Sequence, residues 1–222
     1  AAMFVFDHST TFSILDFISK WGIEKLTDDD WLMTQSNGHP VQSLGMRIVG
    51  KVFKEVESKP TVEMALKAAP ILAEALKHSP YNMNNQRYKA MIYRIMGKKD
   101  KAINIYMHLI GKHRRSYLFQ EMSELVDDDR YKIALLCKAI ATQREEKFRQ
   151  RMRFTLAGLL FGRDKARARY ELDKCIAVRK QLGYSITWRM QNLAASLAEV
   201  TPVSEADEKS FYREQEVVLK EL

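Results

Sequence analysis

The sequence predicts an all-α fold, a right-handed α-α superhelix (solenoid) of antiparallel helix pairs. Two regularities and the composition carry that expectation. Ala68, Ala102, Ala134 and Ala168 follow one another at separations of 34, 32 and 34 residues. Four positions after each stand Leu72, Tyr106, Lys138 and Leu172, and three further on Ala75, Leu109, Ala141 and Cys175. A small residue, a large one and a smaller one at this spacing form the inner face of a short helix. Recurrence near 34 residues marks one helix-turn-helix unit copied along the chain. Nine Gly and five Pro in 222 residues leave little room for a turn-rich β fold, and 46% hydrophobic residues can fill a sizeable core.

Taken in order, Met3–Phe6 is a short strand-like stretch, and Thr11–Trp21 reads as an amphipathic helix with Phe12, Leu15, Ile18 and Ser19 on one side. Thr27 or Asp28 caps a short turn carrying Trp31 and Leu32, and 36–40 (Ser-Asn-Gly-His-Pro) reads as a loop. Helix pairs follow: Ser43–Glu57 with Val62–Lys77, Met83–Met96 with Lys99–Ile110, Tyr117–Val126 with Tyr131–Thr142, and Phe148–Phe161 with Lys165–Leu182. Pro70 falls inside a helix and should bend it or shift its start. Gly97 stands where one helix ends and the chain turns back, a left-handed cap position. Ser185–Glu199 gives a further first helix. Ser204-Glu-Ala-Asp207 is a near capping box opening a last one, with Phe211, Gln215, Val218 and Leu222 along one face.

The run Ala90-x2-Tyr93-x3-Gly97-x4-Ala102-x3-Tyr106-x2-Leu109, with Pro80 behind the preceding pair, resembles the tetratricopeptide repeat. The resemblance is best over Ser43–Gly111 and degenerate over Ser116–Gln181, where Lys138 replaces an apolar residue. It implies one helical-repeat domain over 1–222: a helical lead-in at 1–40, TPR-like helix pairs at 41–200 and a capping helix at 201–222. It also implies a groove lined by the first helix of each pair, where family members hold extended peptides or partner helices. By register the groove residues are Asn84, Arg87, Met91, Arg94, Phe119, Ser123, Arg153 and Gln191. Met91 and Ser123 stand where chaperone-binding members place asparagines of a carboxylate clamp.

Catalytic patterns are missing from the sequence: no glycine-rich phosphate loop, no His-Glu-x2-His, no Cys-x2-Cys and no nucleophile elbow. His108 and His113 are five apart and do not share a helical face. Asp28–Asp30 and Asp127–Asp129 lack the alternating carboxylates and central Gly of a calcium loop and read as turns that cap helices. Neither catalysis nor a metal or other cofactor is expected. Cys137 and Cys175 fall within helical patterns and read as buried, reduced thiols. No signal peptide is visible and no apolar run reaches the roughly 18 residues of a span, so a soluble, cytoplasmic protein without membrane contact is expected.

Charge is unevenly spread. The segment Arg144–Lys180 holds twelve Lys/Arg against five Asp/Glu, in a chain of formal charge +8. Around an apolar stripe of Phe148, Met152, Leu156 and Leu159, the cations Lys147, Arg149, Arg151 and Arg153 line the edges. Arg163, Arg167 and Lys174 form a second stripe with Tyr170 among them. Arginine forks suit carboxylate or phosphate, although such stripes are commonly plain solvated faces. The sequence therefore predicts a non-catalytic interaction module for a protein or peptide partner of acidic character. The alternative is an accessory nucleic-acid-binding domain using Arg149, Arg151, Arg163, Arg167 and Lys174.

Overall fold

The computed structural model describes residues 12–222, so Met3–Phe6 and Thr11 lie outside the described residues. Those residues are predominantly helical. They fall into two compact units, Ala1–Ile105 and Tyr106–Leu222, divided inside one helix of the expected single repeat domain.

The first unit begins with α1 (Ile14–Trp21), capped by the Ser13 hydroxyl, which accepts from the Asp16 amide. Glu55 reaches back from α2 (Leu44–Ser58) to take the Ser13 hydroxyl at 2.6 Å and the Leu15 amide at 3.2 Å. An acid at a helix N-terminus satisfies orphan donors there. α3 (Val62–His78) starts at its Thr61 cap and runs through Pro70 without shifting its start. Pro70 removes one ladder donor, and the carbonyl it leaves belongs to Leu66, on the exposed side. α4 (Met83–Ile95) begins at Asn82 and ends in a Schellman turn: Gly97 has φ 72°, with the Lys98 amide donating to the Tyr93 carbonyl at 2.8 Å.

The core of this unit is Leu15 and Ile18 of α1, Val49, Val52, Phe53 and Val56 of α2, and Ala65, Ala68, Ile71, Leu72 and Ala75 of α3. Trp31 closes one end, stacked on His78 at 4.6 Å, and Gly45 is there because a methyl would overlap the Trp31 ring. Leu32, expected beside Trp31, is exposed. The segment expected to be a plain loop is a small antiparallel hairpin, β1 (Thr34–Ser36) with β2 (His39–Val41). Asn37 and Gly38 both have positive φ, which is the two-residue turn that Asn-Gly favours.

α5 (Lys99–Lys112) carries Ala102, Tyr106 and Leu109, all buried as the repeat spacing requires. In the second unit α6 (Ser116–Ser123) packs on α7 (Asp129–Thr142), and α8 (Gln150–Leu160) packs on α9 (Lys165–Gln181). Asp128 and Asp164 cap α7 and α9. α7 buries Ile133–Cys137, Ala139 and Ile140, almost all round, while Ala141 is exposed and Lys138 half-buried. The third copy of the repeat therefore drifts after Ala134, because α7 is covered from more than one side. Phe148 is exposed in a 3-10 turn ahead of α8, so the buried stripe there is Met152, Leu156, Ala157 and Leu160. α10 (Trp188–Ser196) follows, and α11 (Glu205–Val218) starts at Ser204 and packs back on α7. The half-buried face of α11 includes Phe211, Gln215 and Val218 as expected, together with a fully buried Glu208.

Candidate functional site

The expected groove residues do not all line a surface. Met91, Phe119, Ser123 and Arg153 are buried, Asn84, Arg87 and Arg94 are half-buried, and Gln191 is exposed. Met91 is core because α4 turns that face onto α2 and α3. Phe119 is buried along α6 with Leu118 and Met122, and the Ser123 hydroxyl donates to the Gln120 carbonyl at 2.6 Å. Arg87 pairs with Glu57.

The expected basic stripe is also different from a free cationic face. Arg149 pairs with Glu146, Arg151 with Glu124 at 2.8 Å and Arg163 with Asp129 at 3.1 Å. Arg167 pairs with Asp164 and lies 3.6 Å from Glu208, while Lys174 lies 3.5 Å from Glu205. Three acids from outside the segment, Glu124, Asp129 and Glu205, thus offset part of its surplus. Asp164 stays ionised more readily than an ordinary aspartate: burial opposes this, but the Arg167 amide and guanidinium outweigh it.

Beneath that surface lies a buried polar cluster. Arg153 points inward from α8, with Nη1 donating to Glu171 Oε2 at 2.7 Å and to the Tyr212 hydroxyl oxygen at 3.4 Å, and Nη2 meeting Glu146 at 3.3 Å. The Tyr212 hydroxyl donates to the other oxygen of Glu171, which is 0% exposed. Glu208 is 1% exposed and lies against Glu171 and, at 3.6 Å, the Arg167 Nε, while the Nε of Arg153 has no hydrogen-bond partner. Burial and the neighbouring Glu171 charge push Glu208 up to about 9, so it holds a proton at neutral pH. Burial opposes the charge on Arg153, yet Glu171 beside it keeps the guanidinium more firmly protonated than usual. Tyr212 is likewise driven up by burial and by Glu171.

The second unit presents two concavities. A cavity of about 520 Å³ opens over this cluster, among α7, α8, α9 and α11. Across α6, α8, α9 and α10 runs a shallower groove of similar volume with no residue in common. Phe148, Phe154 and Met190 line it with Lys147, Arg151 and Arg179, and no carboxylate does. Arg179 holds the Ser185 carbonyl and Gln150, while Phe148 lies under the Lys147 ammonium at 4.8 Å.

Sequence reasoning missed Glu146, Glu171, Glu208 and Tyr212. One signal was present: Glu171 stands three after Ala168 and four before Cys175, an inward position, so a charge there required a buried partner. Cys137 and Cys175 are free and buried, and burial raises both thiols. Among the described residues no helix is long and apolar enough to cross a membrane.

Residues 86–217 match the model of a domain of unknown function (DUF7017), a span of more than half the chain that contains both concavities. No curated protein matches the chain.

Proposed function

The chain belongs to the DUF7017 family, and from that premise we propose that it is a non-catalytic helical interaction module whose groove on the second unit takes an acidic, partly apolar segment of a protein or peptide. One observation carries this reading: three cations and three large apolar side chains share the groove lining, with no carboxylate among them. Exposed Phe148 can bury against a hydrophobic residue, and Arg179, bonded to the Ser185 carbonyl and Gln150 but to no carboxylate, offers its charge to an acidic one, while Arg151 and Lys147 would exchange Glu124 and Glu145 for it. The cytoplasm fits this reading, since its reducing conditions suit two free buried thiols. We further read the helix pairs as tetratricopeptide-like, wound as a right-handed superhelix. The full burial of Ala68, Ala102, Ala134 and Ala168 at their spacing supports that.

The nucleic-acid alternative is less well supported, because Arg149, Arg151, Arg163, Arg167 and Lys174 each already lie against a carboxylate. Phosphates would have to displace those acids.

Fluorescence anisotropy with short peptides alternating Asp/Glu and Leu/Phe, against charge-swapped Lys versions, tests the groove. Phe148→Ala and Arg179→Glu should each weaken acidic-peptide binding about tenfold, about 1.4 kcal/mol. Equal binding of both peptide sets, or no change in either variant, would reject the reading.

A further inference from the structure

The cavity over the buried cluster shares no residue with the groove, and its chemistry differs. Five cationic side chains line it: Arg149, Arg153, Lys174, Lys209 and Arg213. Four carboxyl groups line it as well, but Glu208 keeps its proton at neutral pH; with Glu171 behind Arg153, four negative charges meet five positive ones, and Lys174 and Lys209 share the single Glu205 carboxylate. Arg153 is at once buried, fixed by Glu171 and Glu146, and left with a free Nε donor. Its side chain is only 6% exposed, so the guanidinium charge is held at the cavity wall and cannot swing out to water. Arg213 at the edge gives its Nε to the Lys209 carbonyl at 3.3 Å and has no carboxylate partner among the described residues.

We infer that this cavity is a binding site for an oxyanion, a carboxylate or phosphate group, received by Arg153 within and by Lys174, Lys209 and Arg213 at the rim. Fixed forks and ammonium groups around a partly desolvated cavity favour such an ion over chloride, since both oxygens of one group can be bonded at once. Its volume admits a small dianion or one acidic side chain with its neighbours. Glu208 acts here as a neutral carboxyl. Around it stand Glu171, Arg167, Tyr170 and Asp164 of α9 and its cap, Tyr212 of its own helix and Cys137 of α7, and Arg153 of α8 lines the same cavity. Should Glu208 lose its proton, a negative charge would face the entering anion and repel it.

Isothermal titration of the whole chain with malonate and with inorganic phosphate, each against chloride at matched ionic strength, reads the site directly. At least one oxyanion should bind saturably, and Lys174→Glu/Arg213→Glu should weaken it at least tenfold, while Arg179→Glu in the groove leaves it unchanged. Wild-type affinity should fall as pH rises through about 9, and Glu208→Gln should keep its affinity there. A Glu- or phosphoserine-bearing peptide that displaces the free anion would identify the partner chain as the source, and one that does not would identify a free small anion. Binding no better than chloride, insensitivity to the rim reversal, or the same decline with pH in Glu208→Gln overturns the proposal. Peptide binding in the groove could persist through any of these results, so the two readings fail separately.

Discussion

Glu208 is a carboxyl group that the fold buries against the Glu171 carboxylate. Two carboxylates this close cannot both ionise cheaply, and Glu208, which lacks the bonds that Arg153 and Tyr212 make to Glu171, keeps its proton. The folded state then retains a proton that the unfolded chain releases above its ordinary value of 4.5. Stability should therefore be fully present below about pH 4.5 as far as this group is concerned, and decline as pH rises towards about 9. Glu208→Gln has no such proton to lose. Its melting temperature should exceed wild type by several degrees at pH 8, and the gap should narrow near pH 5. Equal melting curves at pH 8 would show that Glu208 is ionised without cost. Arg153 behaves in the opposite sense, because it is the charge that makes Glu171 tolerable. Arg153→Met should destabilise by about 3–5 kcal/mol, and Arg153→Met/Glu171→Met should recover much of that loss. Urea unfolding of the two variants measures the difference; similar losses in both would mean that Glu171 finds another partner.

At the scale of elements, much of the helix layout was legible because its boundaries are written in local chemistry. Ser43, Thr61, Asn82, Asp128, Asp164, Thr187 and Ser204 all accept from helix amides as N-caps, and Gly97 and Gly183 end helices with left-handed backbone. Alanine at the Ser204 or Asp164 cap should cost about 1 kcal/mol. What escaped was set by packing that no spacing encodes. α7 is covered by α6, α8 and α11, so its inner face cannot be read from a one-sided pattern, and Ala141 fell outside. Phe148 lies before α8 rather than on it, which a periodic stripe could not reveal. The Asn37-Gly38 hairpin, by contrast, carried a recognisable signal that an all-helical expectation overrode. Gly45 is the sharpest element-level test. Its methyl would overlap the Trp31 ring, so Gly45→Ala should destabilise by about 1–3 kcal/mol despite the better helix propensity of alanine. A Gly45→Ala protein as stable as wild type in urea would mean that Trp31 moves aside freely.

Across the whole molecule, charge counted along the chain and charge presented to a partner are different quantities. The surplus of seven in Arg144–Lys180 meets Glu124, Asp129 and Glu205, acids brought in from outside that segment. Each pair is partly exposed and contributes little stability, but together the pairs leave few unpaired cations for a phosphate backbone. A surface built for nucleic acid would give a slope of log K against log salt near −0.7 to −0.9 per phosphate neutralised. Titrating labelled single-stranded RNA and duplex DNA from low to physiological salt should instead show weak binding that vanishes before physiological salt. Acidic peptides should persist, because apolar contact with Phe148 and Phe154 is insensitive to ions. Arg163→Glu is the informative variant, since its side chain is half exposed and its partner Asp129 lies on the surface, whereas reversing Arg167 would set a second carboxylate against Asp164. Tight nucleic-acid binding at physiological salt, steep in salt and lost in Arg163→Glu, would make the basic face the functional one and the groove incidental.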